Sequence, residues 1–263
     1  MSDIVKVLGE GWVLTVLLLS VRIATVLLLT PVLYAAEMPA TVRAAIVLGL
    51  ACVIAMPFAR PASVAVADVG ALTESVLREA AVGAMLGLGI LMAFGGFALA
   101  GRMVDVQIGY GIAQVFDPLT RTRAPVLSAV FGLFAAVFFF VADGHHALVR
   151  GIAFSVDRFP VGQAFPLAGA AEPLVAQMAA LFTLGFALAA PVVLALLLVE
   201  FALGVVSRNL PQMNMLVMGI PVKVVVGLLA LSVWATAFNA PAGRLYAGIA
   251  GTWDAWFTAG GTR

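Results

Sequence analysis

The sequence predicts an all-α, polytopic membrane protein with about six apolar helical segments. Composition supports this fold class, because 63% of the 263 residues are hydrophobic and only 10% are charged, whereas about 25% of an ordinary soluble domain is charged. A soluble core cannot bury so much apolar surface, but a bilayer can solvate it. The charges also cluster in short connections between long uncharged runs. Several of these runs carry Pro or Gly and are therefore expected to be kinked or broken.

Six apolar runs follow one another along the chain, and a helix needs about 20 residues to cross the hydrocarbon core. In order, the runs cover residues 11–33, 44–59, 80–101, 124–142, 173–199 and 209–243. The second run is short for a crossing, and the last is long enough to cross once after a broken entry. An amphipathic stretch that begins at Leu72 is expected to continue straight into the third run, since Glu74 and Arg78 form an i,i+4 pair on its polar face.

Charge and cysteine counts exclude several functional classes. The net charge is +1, with 14 Lys and Arg residues, so the chain has no basic surface for nucleic acid. Cys52 is the only cysteine, which excludes intrachain disulfides and cysteine clusters for metals. The first apolar run is too long for the core of a cleaved signal, and we expect it to be retained.

Two basic residues lie within or beside apolar runs. Arg22 is in the middle of the first run, and Lys223 follows Pro221 near the last. A charge at the bilayer centre costs about 3 kcal/mol on insertion scales, so each should face a partner, a cavity or another subunit. For Arg22 we favour an assembly contact over an ion pathway. Glu200 is a candidate partner for Lys223.

The third run is rich in glycine at spacings that favour close helix packing. Small residues four positions apart let the backbones of membrane helices approach one another. The general enrichment of glycine in membrane helices is the competing explanation. We predict that this helix packs tightly on more than one side, through Gly83, Gly87, Gly89 and Gly96.

Asp143, His145 and His146 are close together in the sequence and could be ligands of a metal ion. Adjacent histidines on a helix point about 100° apart, and no further His or nearby Cys completes a tetrahedral site. We therefore predict a polar loop that caps the fourth run, and no cofactor. The sequence also lacks a nucleotide-binding loop, a zinc-protease helix and a nucleophile elbow, so catalysis is not expected.

Two segments, 101–118 and 209–223, mix helix-breaking residues with groups too polar for lipid. Non-helical backbone at membrane depth persists only where protein or a water-filled cavity satisfies it. On the residues alone, a pore or gate lining and a re-entrant turn packed inside the protein are equally supported. The candidate residues of the second segment are Asn209, Pro211, Gln212, Asn214, Pro221 and Lys223.

With motifs elsewhere in the chain, these segments resemble the FliR family, the flagellar biosynthetic membrane component of the type III export apparatus. The resemblance extends from about Trp12 to Trp234. Its most specific part is Asn-Leu-Pro-Gln-Met-Asn from Asn209, followed by Gly-Ile-Pro-Val-Lys. Further matching positions are Val21 to Thr25, Thr30-Pro-Val, Met38 to Arg43, Glu79, Ala100 to Gly109, Asp117-Pro, Gly144-His-His, Pro191 and Glu200.

The resemblance implies a non-enzymatic subunit built of helical hairpins in a multi-subunit export gate. It implies a single membrane domain over 1–263, with a FliP-like part at about 1–170 and a FliQ-like part at 171–263. The apolar runs then need not all cross the membrane, since much of such an assembly protrudes to the periplasmic side. The implied gate loop lies at about 102–123, and its candidate residues are Gly109, Tyr110, Gly111, Phe116 and Asp117.

The resemblance also implies location and partners. The location is the bacterial inner membrane at the flagellar basal body. The partners are FliP-like and FliQ-like subunits, an FlhB-like export protein, unfolded export substrates and membrane lipid. Three alternatives stay open: the injectisome counterpart of the same gate, a small-molecule permease with inverted repeats, and, with least support, a membrane-embedded hydrolase.

Overall fold

A computed structural model describes residues 2–31, 38–58, 69–109, 126–163, 171–210, 212, 215–236, 243, 248–249 and 251–256. Every regular element among these residues is a helix, which confirms the predicted all-α class. In chain order the helices are α1 Ser2–Leu29, α2 Ala40–Phe58, α3 Val69–Ile108, α4 Val126–Val141, α5 Gly144–Arg158, α6 Ala171–Asn209 and α7 Met215–Ala235. Residues 251–256 are also helical.

Five of these helices are long and apolar enough to cross a membrane, namely α1, α2, α3, α6 and α7. The count becomes six if α4 and α5 are taken together as one broken span. This agrees with the predicted number of about six apolar segments. The protein is an integral membrane protein.

Helix α3 is much longer than the apolar run that predicted it. Its 40 residues are about twice the number that one crossing needs. The amphipathic stretch from Leu72 runs without a break into the glycine-rich part, as predicted. At the other end the helix continues to Ile108, because backbone hydrogen bonds do not require the apolar side chains that defined the run.

Helix α5 was missed by the sequence analysis, which predicted no helix between the run that ends at 142 and the run that begins at 173. Its charged residues lower its hydropathy, yet its apolar residues recur at helical spacing. The polar loop predicted after the fourth run is reduced to Ala142 and Asp143, and Asp143 has a left-handed backbone with φ 54°. The buried face of α5 consists of Gly144, Leu148, Gly151, Ile152, Ser155 and Val156.

The chain folds into two compact units. The first unit contains residues 1–92, 143–177 and 248–263, and the second contains 93–142 and 178–247. Helices α3 and α6 each contribute one part to each unit. The largest buried side chains of the first unit are Leu18, Leu19, Arg22, Ile23, Leu86, Ile90, Ile152 and Trp256. Those of the second unit are Phe97, Ile108 and Phe131.

Candidate functional site

A buried ion pair lies at the centre of the first unit. Arg22 on α1 donates from Nε to Oε2 of Glu79 on α3 over 2.7 Å, and each side chain is only 1% exposed. Two opposite charges without access to water must pair with each other, and their remaining N–H groups and oxygen atoms need hydrogen-bond partners from the protein. The pair therefore joins two helices at a position where neither charge could stand alone.

The remaining polar atoms of the pair bind the end of α5 and the turn after it. Arg22 donates from Nη1 to Oγ of Ser155 over 3.1 Å and from Nη2 to the carbonyl oxygen of Phe159 over 3.0 Å. Glu79 Oε1 accepts the backbone N–H of Gly162 over 2.8 Å. These partners all belong to the same chain. The fold thus supplies acceptors for three of the Arg22 N–H groups, and an assembly contact of Arg22 stays a prediction.

Two of the predicted packing glycines bring α1 and α3 close enough for this ion pair to form. A Cβ added at Gly83 would collide with the carbonyl oxygen of Arg22, and one at Gly87 would lie 2.7 Å from Leu29 Cβ. Residues four apart lie on one face of a helix, so Glu79, Gly83 and Gly87 all face α1. The absence of side chains at the two glycines thus sets the spacing of the ion pair.

The other two packing glycines face different neighbours. A Cβ at Gly89 would lie 2.9 Å from Nε1 of Trp253 in the first unit, and Gln177 Nε2 donates to the Gly89 carbonyl oxygen over 3.0 Å. In the second unit, a Cβ at Gly185 would lie 3.1 Å from the carbonyl oxygen of Gly96. All these contacts are within the chain, and a role of the four glycines between subunits stays a prediction.

The base of the predicted gate loop is held by a buried carboxylate in the second unit. Helix α3 ends at Ile108, Gly109 follows with φ 99°, and α4 begins at Val126. Asp105 is only 2% exposed. Its Oδ1 accepts the backbone N–H of Leu127 over 3.0 Å, and its Oδ2 accepts that of Ser128 over 2.8 Å. One side chain before the loop therefore binds the helix that follows it.

The segment 101–118 is less irregular than predicted, since α3 remains helical from Gly101 to Ile108. Asp105, whose charge argued against a helix here, accepts hydrogen bonds from backbone N–H groups in the first turn of α4. A Cβ at Gly101 would lie 2.6 Å from Ser128 Cα, so the glycine permits the close approach of α4. Of the predicted gate residues, Gly109 is at the end of α3. The others, Tyr110, Gly111, Phe116 and Asp117, lie outside the described residues.

The second irregular segment is also shorter than predicted. Helix α6 ends at Asn209, and α7, which begins at Met215, runs through Pro221 and Lys223. A proline inside a helix removes one backbone hydrogen bond and bends the helix but does not have to end it. Gln212 is exposed in a turn. Pro211 and Asn214 lie outside the described residues.

The pairing of Lys223 with Glu200 is present in the second unit. Lys223 Nζ lies 3.0 Å from Glu200 Oε1, with 19% of the lysine side chain and 55% of the glutamate side chain exposed. The pair joins α6 to α7. Because the two helices are adjacent in sequence, this partner could be considered from the sequence alone.

Asp143, His145 and His146 each offer one ligand atom, and these atoms lie within 4.8 Å of one another. Asp143 Oδ1 and His146 Nδ1 are 3.2 Å apart, and the two imidazole rings are tilted by 38° to each other with centroids 4.1 Å apart. The group offers three ligand atoms, and Asp143 and His146 are exposed, so we assign no metal to it. That no cofactor binds stays a prediction.

The sequence analysis missed Asp105 and Ser155 as functional residues, and it noted Glu79 only as part of a motif. Asp105 had a signal that could have been used. A carboxylate between apolar residues near the end of a helix needs hydrogen-bond donors from another part of the chain. Ser155 had no comparable signal, because its role depends on where α5 packs.

Comparison with known proteins adds an independent finding. The profile of a family described as "Bacterial export proteins, family 1" matches residues 13–248. Flagellar biosynthetic protein FliR of Bacillus subtilis (strain 168) is 33% identical over 220 residues, which cover 82% of this chain and 84% of that protein. FliR of Escherichia coli (strain K12) is 28% identical over 211 residues, covering 79% and 78%. Yop proteins translocation protein T of Yersinia pestis is 25% identical over 171 residues, covering 64% and 66%.

Proposed function

The chain belongs to the bacterial export proteins of family 1, and on that premise we propose that it is a structural, gate-forming subunit of the flagellar type III protein-export channel. The observation that carries this proposal is the extent of the match over residues 13–248. It includes the buried ion pair, both helices that flank the predicted gate loop, and the ion pair between α6 and α7. The similarity is therefore not confined to general hydrophobicity.

The geometry around the predicted gate loop supports a gating role. A loop that closes a channel must return to one position after each opening, so its ends have to be fixed to rigid elements. Asp105 provides such fixation, because its carboxylate binds two backbone N–H groups of α4. Gly109 begins the loop in a left-handed conformation, which glycine adopts without steric cost.

We propose that the chain assembles with FliP-like and FliQ-like subunits and contacts an FlhB-like export protein. In this proposal residues 1–170 form the FliP-like part and residues 171–263 the FliQ-like part. The complex is placed in the inner membrane at the flagellar basal body, partly on the periplasmic side, where it passes unfolded substrates. No catalytic step is assigned to the chain. Many large apolar side chains of α2, α6 and α7 are exposed in the single chain, which is consistent with contacts to subunits or lipid.

The injectisome counterpart is the second candidate, favoured by the similarity to the Yersinia pestis protein. The higher identity and coverage of the Bacillus subtilis FliR protein favour the flagellar assignment. A complementation experiment distinguishes the flagellar assignment from the injectisome assignment. Expression in a flagellated bacterium that has become non-motile through deletion of its own FliR should restore swimming if the flagellar assignment is correct. Restored injectisome secretion without restored swimming would support the second candidate.

Co-purification tests the proposal as a whole. The tagged chain is solubilised gently from its native membrane, and the proteins bound to it are identified by mass spectrometry. We expect FliP-like and FliQ-like subunits in one large complex. A clean monomer or self-dimer, with those subunits present in the same cells, would contradict the proposal and make a small-molecule permease the hypothesis to pursue.

Deletion of residues 110–117 tests the position of the gate. We expect the variant to assemble, because Asp105 and Ile108 remain, and to let small ions leak across the membrane, because the loop no longer closes the channel. The measurement is the ion conductance of cells or of vesicles with the purified complex, compared with the complete complex at equal amounts. An assembled complex that stays tight would place the gate elsewhere in the protein.

A further inference from the structure

We propose that the helix at 251–256 is a clasp: its side chain Trp253 fills a slot between α3 and α5, and the first unit is ready for assembly only when this helix is seated. All contacts of the clasp that carry the proposal are within the first unit. The clasp itself is therefore independent of the proposed function. Its consequence for assembly rests on that function, because the partners are the export-gate subunits.

The slot exists because both helices that line it have glycine where the indole lies. A Cβ added at Gly151 of α5 would lie 2.6 Å from Cζ3 and 2.8 Å from Cε3 of Trp253. One added at Gly89 of α3 would lie 2.9 Å from Nε1 of the same indole. The six-membered ring therefore lies against α5, and the nitrogen side of the indole lies against α3. A larger side chain at either glycine would occupy space that the indole fills.

Three buried side chains hold the clasp in the first unit. Trp253 is 5% exposed, Trp256 is 2% exposed and Ile249 is 6% exposed. The Nε1 atoms of both tryptophans are buried and have no hydrogen-bond partner among the described residues. The two tryptophans therefore hold the helix through burial of apolar surface and through shape. Separation of the helix from the first unit would break no hydrogen bond of either indole.

The indole lies one helical turn from the partners of the buried ion pair. Gly151 and Ser155 are four residues apart and both belong to the buried face of α5, so they lie on the same side of that helix. Trp253 contacts this face at Gly151, and Arg22 Nη1 donates to Ser155 Oγ on it over 3.1 Å. The seated clasp thus fixes the spacing of α3 and α5 at which Arg22 reaches its partner on α5. An empty slot removes the side chain that fixes this spacing.

The clasp comes late in the chain. The second unit takes up residues 93–142 and 178–247, and the first unit takes up 248–263 only after them. During synthesis the slot therefore stays empty until residues 1–247 have been made. A core that lacks a bulky side chain contains a cavity and is destabilised by it. We therefore expect only chains that extend through Trp256 to reach the form that assembles with partner subunits.

Cleavage of the chain tests whether the clasp is a separate docking element. A protease site is inserted before Gly248, which is exposed, and the full chain is cut after purification in detergent. We expect the tail that begins at 248 to stay bound, because Trp253 and Trp256 hold it without the preceding backbone. Trp253→Ala should release about tenfold more tail, since the indole contributes most of the buried contact with the slot. Release of the tail from the otherwise unaltered chain would overturn the proposal.

Exchange of side chains across the slot tests the contact itself. Gly151→Leu alone should collide with the indole, and Trp253→Ala alone should empty the slot, so each should lower the resistance of the chain to a protease in membranes. The combined variant should be more resistant than either, because the leucine then occupies the emptied slot and the two changes are coupled. Trp12→Ala is the matched control, since Trp12 is 40% exposed, and it should stay resistant. A combined variant that is no more resistant than either single variant would overturn the contact.

Recovery of FliP-like and FliQ-like subunits with each tagged variant measures the assembly step. A chain that ends at residue 247 and the variant Trp253→Ala should each recover about tenfold less of these subunits than the unaltered chain, as expected when a core side chain is lost. Trp12→Ala should recover the full amount. Full recovery with the chain that ends at 247 would overturn the proposal. If the unaltered chain recovers neither subunit, the proposed function fails, whereas retention of the cut tail still decides whether the clasp exists.

Discussion

Replacement of Arg22 by methionine is expected to destabilise the first unit by about 3–5 kcal/mol, the usual effect of breaking a buried ion pair from one side. The methionine fills a similar volume but leaves the Glu79 carboxylate, which is 1% exposed, without its cation. Ser155 Oγ and the Phe159 carbonyl oxygen also lose their donor. The measurement is the thermal denaturation midpoint of the purified protein in detergent, together with its amount in membranes.

Arg78→Met is the matched control for this prediction. Arg78 is on the same helix as Glu79, but its side chain is 36% exposed and its partner Glu74 is 62% exposed. Exposed i,i+4 pairs contribute about 0.3–0.5 kcal/mol, and the further hydrogen bond from Arg78 Nη1 to the Gly162 carbonyl oxygen is long at 3.4 Å. This variant should therefore be destabilised far less than Arg22→Met. Equal midpoints for Arg22→Met and Arg78→Met would contradict the assignment of Arg22 to the core of the first unit.

A double variant with methionine at both Arg22 and Glu79, compared with the two single variants, forms a double-mutant cycle. Buried pairs replaced together by apolar residues of similar size often cost little, so the double variant should be more stable than Arg22→Met alone. It should not reach the stability of the unaltered protein, because the Gly162 N–H would also lose its acceptor. A double variant that is less stable than both single variants would show that the two residues do not act as a pair.

The sequence indicated that Arg22 needs a partner but not which partner it has. Glu79 lies 57 residues away, and Ser155 lies 133 residues away, so their proximity depends on how the helices pack. Lys223 and Glu200 belong to successive helices joined by a short connection, and their pairing could be considered in advance. Sequence separation thus explains why one pair was anticipated and the other was not.

Helix existence was predicted well, and helix ends were predicted poorly. Hydropathy located the apolar parts of α3 and α6, but both helices continue into charged or polar residues. Helix α5 was missed because its exposed charges mask an apolar face that only periodicity reveals. The irregular segments proved shorter than expected because tertiary contacts satisfy polar groups inside helices, as Ser128 and Leu127 do for Asp105. Such contacts leave no pattern in the local sequence.

The candidate site was predictable to a different extent in each of its parts. The family resemblance implied the position of the gate loop, which stays a prediction, and motif matching included Asp105 without a partner for it. The structure adds the partners, since the Asp105 carboxylate accepts the backbone N–H groups of Leu127 and Ser128. This contact could not be predicted from the local sequence, because Leu127 lies 22 residues after Asp105.

Replacement of Gly87 by leucine is expected to destabilise the first unit by about 3 kcal/mol or more, the upper range for overpacking. A Cβ at this position would lie 2.7 Å from Leu29 Cβ and 3.2 Å from the Val26 carbonyl oxygen, so α1 and α3 would have to separate. Separation of these helices would also lengthen the Arg22–Glu79 contact. The measurement is the resistance of the chain to a protease in membranes when it is expressed without partner subunits.

Gly49→Leu is the matched control, since Gly49 is inside α2 and an added Cβ would have no atom within 4 Å. In the chain expressed alone, this variant should be as resistant as the unaltered protein, because leucine is a better helix former than glycine. The comparison distinguishes two roles for the glycines of α3. If Gly87→Leu is fully resistant alone but fails to assemble with its partners, these glycines act between subunits and the packing of α3 on α1 is wrong. Loss of resistance in the isolated chain assigns them to the fold of the chain itself, on which the position of the buried ion pair depends.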